Sequence, residues 1–180
     1  MPYATPSAFI QRFGLDETVQ LLADEQQLLT SQLLLDAIAV EAGGAWTGDP
    51  TADEIAAAQS ALARLEAQLQ SSSNFMDGYL RAAVTLPLAT DDANTGTLAD
   101  CCLALSRVGL ADDTDNATDR MDKTADGWRA WLKDVAARRV QLIGATGDAP
   151  PPASGMRSGK ADSHYDWHRF DHPRSNRGLR

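Results

Sequence analysis

The residue types best suited to chemistry or recognition gather at the end of this 180-residue chain. They are Tyr165, Trp167, His168, Arg169, Phe170, Arg174 and Arg177, with His164 and His172 beside them. His164, His168 and His172 are four apart, which on a helix would stack three imidazoles on one face as zinc ligands. Gly159 before them and Pro173 after them oppose a helix, no apolar face would hold one, and no fourth ligand stands near. The histidines are therefore read as contacts to a partner. Trp, Tyr and Arg dominate binding energy at protein interfaces. The same set can grip nucleic acid, with rings on bases and guanidiniums on phosphates. Asp162, Asp166 and Asp171 break up the basic run and hold residues 153–180 to a net +3, so duplex DNA is the weaker fit. An extended segment docking on another protein subunit is the expectation, with the seven residues named first as its contacts.

Other constellations give less. Asp112-Asp113-Thr114-Asp115-Asn116 has the look of a calcium loop, but an EF-hand counted from Asp113 needs Gly at Thr118 and Glu at Thr124. It reads instead as an acid-rich approach to a helix. Cys101 and Cys102 are adjacent, without metal spacing, and are expected as small core residues of a reduced intracellular protein. There is no G-x-S-x-G, H-E-x-x-H or glycine-rich phosphate loop, and no histidine before His164. No catalytic residue, cofactor or metal is expected, and the chain is not read as an enzyme.

Charge divides the chain in two. Residues 1–152 hold 10 Lys and Arg against 22 Asp and Glu, a net of −12, whereas residues 153–180 are basic. An acidic body does not bind phosphate backbones. Between the parts, Gly144 to Gly155 contains Pro150-Pro151-Pro152, which no helix or strand crosses. The expected organisation is a helical domain over 1–144, a Pro/Gly linker over 145–155 and a docking tail over 156–180. No apolar run approaches the ~20 residues of a membrane span.

The elements holding the body together should be helices, since Ala is abundant and β-branched runs are almost absent. Thr5-Pro6 is a helix start, with Phe9, Ile10 and Phe13 on one face and Gly14 as its end. A second segment opens at Asp16; periodicity leaves open whether it breaks near Asp24 or runs into 30–42. Gly43 to Pro50 is a loop. Thr51-x-x-Glu54 is a capping box, followed by Ile55, Leu62, Leu69 and Met76 at seven-residue spacing. This predicts a helix over 52–81, roughly 45 Å long at 1.5 Å per residue, with Ser71 to Asn74 as its weak point. A further helix should run from Thr97 to Gly109. A last one should carry Met121, Ala125, Trp128, Leu132 and Val135 inward and close on Arg138 and Arg139, with Val140 to Ile143 as an apolar coda. The fold class is all-α: a bundle of four to five helices with an extended C-terminal tail.

Three stretches together carry a resemblance: Tyr3 to Gly14, Met76 to Arg81 with Leu86-Pro87-Leu88, and Ala125 to Ala136 running to Val140-Gln-Leu-Ile-Gly144. In order and spacing they resemble the small neck protein of Mu-like phages and prophages, whose helical layout is similar to head–tail adaptors of other tailed phages. The chain departs from that pattern at Ala83-Val84-Thr85 and from Asp91 to Thr97, so individual contact residues are not carried over. The resemblance implies a structural virion protein assembled in the host cytoplasm, a dodecameric ring at the neck between the portal and the stopper or tail-completion protein. DNA would pass through its channel without sequence-specific binding, and a C-terminal segment would reach the portal. The alternatives are another neck role, stopper or terminator, expected to be rich in β-structure, and a DNA-binding packaging or regulatory factor.

Overall fold

The computed structural model describes residues 2–23, 27–88, 92–111 and 117–142. Among them the chain is all-α, as its composition implies, with six helices and no strand: α1 (Pro6–Phe13), α2 (Leu15–Leu22), α3 (Ser31–Glu41), α4 (Ala52–Leu80), α5 (Thr95–Ala111) and α6 (Asp119–Ala136). The stretch whose continuity was open resolves into two helices. α2 ends at Leu22, and Thr30 starts α3 by accepting the Leu33 amide on its hydroxyl at 3.3 Å.

Threonine caps recur because each hydroxyl satisfies an amide that the first turn leaves free. Thr5 accepts from Ala8, with Pro6 at the first helical position. Thr118 accepts from Met121. At α4 the capping box is complete: the Glu54 amide donates to Thr51 Oγ1 at 3.3 Å, and the Thr51 amide donates to Glu54 Oε2 at 2.8 Å. Gly14 separates α1 from α2 with φ of 92° and ψ of 154°, a conformation essentially confined to glycine.

α4 is the axis of the bundle, and every other helix packs on it. Its inward stripe is Ala58, Ala61, Leu62, Leu65, Leu69, Ser72, Ser73, Met76 and Leu80. Against this lie Phe9, Leu34, Leu98, Leu110, Leu132 and Val135, all fully buried.

α4 continues unbroken through Ser71 to Asn74. Ser73 Oγ donates to the Leu69 carbonyl at 2.8 Å, and Ser72 Oγ accepts from Ser106 Oγ on α5 at 2.9 Å. Ser72 is tied to α5, and Ser73 shares the Leu69 carbonyl with the helix's own backbone bond, a small cost that the packed helix carries.

Two ends differ from expectation. α5 runs past Gly109 to Ala111, because Leu110 and Ala111 are themselves buried. α6 ends at Ala136, before the arginines that were expected to close it. Arg138 adopts φ of 57°, and its guanidinium reaches the Ala82 carbonyl at 3.3 Å, beyond the end of α4. The chain turns at residues 137–138 and bends at 139–140, and Leu142 is buried.

Candidate functional site

All seven predicted contacts, Tyr165, Trp167, His168, Arg169, Phe170, Arg174 and Arg177, lie outside the described residues, as do the other two histidines, the 112–116 acidic run and the linker. Within the described body, both cysteines are fully buried. Burial, helped by the neighbouring Cys102, pushes the Cys101 thiol up to about 12. Cys102 is raised by burial as well, and its sulfur lies 3.4 Å from Ser73 Oγ. Thiols so held are packing groups, since reactivity needs thiolate. Among the described residues no group of three or more His, Cys, Asp or Glu is placed to hold a metal ion, and no helix is long and apolar enough to cross a membrane.

Two features of the described surface bear on function. One is a cleft of about 390 Å³ where α1, α2, α5 and α6 meet, lined by Arg12, Phe13, Glu17, Arg107, Arg120 and Trp128 among others. Arg107 organises it. Its Nε and Nη2 both reach Glu17 Oε1 at 2.5 Å, and its guanidinium lies 4.6 Å from the centre of the Phe13 ring. That contact joins a cation–π interaction to a partly buried ion pair. Arg12 approaches Asp100 at 3.9 Å, but both are more than half exposed, so that pair adds little. The Arg107 contacts to Glu17 and Phe13 tie α5 to α1 and α2 across the cleft.

The other is a shallow groove of about 210 Å³ bounded by Gln68, Ser71 and Phe75 on α4, Leu105 and Gly109 on α5, and Arg129 on α6. Gly109 leaves room for the Gln68 side chain; a Cβ there would collide with its terminal amide. Phe75 is 43% exposed, stacked edge-on against Tyr79 at 5.2 Å between ring centres. Its only counterpart among the described large hydrophobics is Leu35 on α3, 41% exposed. Sequence reasoning passed over both. The available signal was that Phe75 stands next to the seven-residue stripe, one position before Met76, where a solvent-facing residue should be polar.

The N-terminal segment is tied down on the same long helix. The Tyr3 amide donates to Ser73 Oγ at 3.0 Å and its hydroxyl donates to Asp77 Oδ1 at 2.5 Å. Burial first, then the Asp77 carboxylate, raises the phenol far above its usual range, so it stays protonated as a donor. Arg64 Nη2 donates to the Leu21 carbonyl at 2.7 Å and so caps the end of α2.

A protein-family model described as "Bacteriophage Mu, Gp36" matches residues 3–160, the whole helical body and the start of the tail. No curated protein and no solved structure matches the chain.

Proposed function

The chain belongs to the bacteriophage Mu Gp36 family, and from that premise we propose that it is a structural protein of the phage particle, a head–tail connector adaptor. Copies of the helical body pack side by side into a ring, dodecameric by resemblance, at the neck between the portal and the stopper or tail-completion protein. The C-terminal tail docks on the portal through Tyr165, Trp167, His168, Arg169, Phe170, Arg174 and Arg177.

The observation that carries this reading is the break in composition at residue 152: a body of net −12 gives way to a tail of net +3 rich in the side chains that anchor interfaces. The helical body, without a strand among its described residues, favours an adaptor over the β-rich neck roles. The acidic body also suits a channel, since a negative wall repels phosphate and lets DNA slide. A ring whose inner wall is lined by Lys and Arg would contradict that last point.

Trp167→Ala tests the docking. Loss of an interface anchor of this kind costs ~2 kcal/mol or more, so binding to the portal ring should weaken about thirtyfold with helix content unchanged in circular dichroism. Unchanged portal binding would refute the assigned anchor.

A further inference from the structure

α3 is apolar where a surface helix should be charged. Its mid-helix carboxylate, Asp36, is buried, while Leu35 and Ala39 on α3 and Ala42 at its C-cap form an exposed stripe at helical spacing. Gln32 and Glu41 are the exposed polar residues at its two ends, and an apolar stripe between them is the kind of surface a partner covers. α3 packs on α4 and α2, and its last residue, Glu41, lies beside Glu66 of α4. Glu66 and Phe75 are nine residues apart on α4, so at about 100° per residue they point in roughly opposite directions. The α3 face and the Phe75 groove therefore occupy opposite flanks of the same long helix. That is the arrangement a head-to-tail contact requires, because a ring with a heterologous interface needs two different patches on each subunit. The charges also match. Among the described residues no Lys or Arg pairs with Glu41 or Glu66, and burial and the nearby Glu41 raise the Glu66 carboxyl. The groove carries Arg129, whose side chain is 43% exposed and held at 2.9 Å by Asp126, an exposed neighbour on the same helix from which it can turn to a second carboxylate at little cost.

We propose that the α3 face of one copy packs into the Phe75 groove of a second copy, with Leu35 seated against Phe75 and Arg129 brought to the Glu41–Glu66 pair. This rests on the ring reading and supplies its subunit contact.

The test is native mass spectrometry of the full chain, alone and with the portal ring, for wild type, Leu35→Asp, Phe75→Asp and an equal mixture of the two variants. Wild type should assemble. Each variant alone should associate at least tenfold more weakly with helix content unchanged. The mixture should give a heterodimer, because the intact α3 face of Phe75→Asp meets the intact groove of Leu35→Asp. Rings from either variant at wild-type concentration would overturn the contact and leave the ring reading standing. Two weakened variants that give no heterodimer would overturn the head-to-tail pairing. A wild type that never assembles, with or without portal, would overturn the ring reading itself. Leu35→Ser and Phe75→Ser carry the same expectations where an aspartate lowers helix content.

Discussion

Asp36 is a carboxylate turned toward the protein because a loop needs it. It is 4% exposed and accepts from the Thr47 amide and hydroxyl, each at 2.9 Å, and from Gln32 Nε2 at 2.8 Å, pinning the 43–50 loop to α3. The Thr47 amide contributes most to holding its carboxyl below the usual range; burial opposes this, and the two side-chain donors add to the lowering. The side chain is shielded from water yet near the surface, which is why hydrogen bonding outweighs burial. A depressed carboxyl pKa stabilises the fold at pH values above the unfolded value, about 3.9, and that contribution is lost as pH falls through the folded value. Asp36→Asn should therefore lower Tm at pH 7, with the gap to wild type closing below about pH 4. A gap independent of pH would show that Asp36 acts by shape and not by charge. From sequence, Asp36 looks like one more solvated acid, since nothing in the chain marks a partner eleven residues away in a loop.

At the level of elements, legibility followed the range of the interaction. α4 was readable to within a residue because a capping box and a seven-residue stripe are local signals, and Thr5-Pro6 and Gly14 framed α1 for the same reason. The gap between α2 and α3 was not readable, because both halves are apolar. The passage of α4 through Ser71 to Asn74 depends on Ser106, 34 residues further along the chain. The end of α6 was misplaced because Arg138 serves Ala82, 56 residues away. Gly14 gives a test at this scale. A Cβ there meets nothing within 4 Å, so Gly14→Ala isolates backbone strain. It should destabilise by about 1–3 kcal/mol in urea unfolding, with the m-value unchanged. Wild-type stability would mean that the α1–α2 corner relaxes freely into an ordinary conformation.

For the molecule as a whole, charge and composition pointed to a body and a tail with different duties, while no motif named the partner; order and spacing of short stretches suggested the family, and the match over residues 3–160 established it. The surfaces that the body itself offers, Leu35 on α3 and Phe75 beside α5 and α6, needed the fold to be seen. Each is a single residue whose meaning depends on which flank of α4 it occupies. The assignment of docking to the tail is the central claim. The body's described core closes at Leu142, so a chain ending at Ala149 keeps every described packing contact. The direct measurement is electron microscopy of the portal ring mixed with the full chain or with that shortened chain. A second ring seated on the portal with the full chain alone is the predicted result. Equal occupancy by both would contradict the claim and move the interface to the helical body.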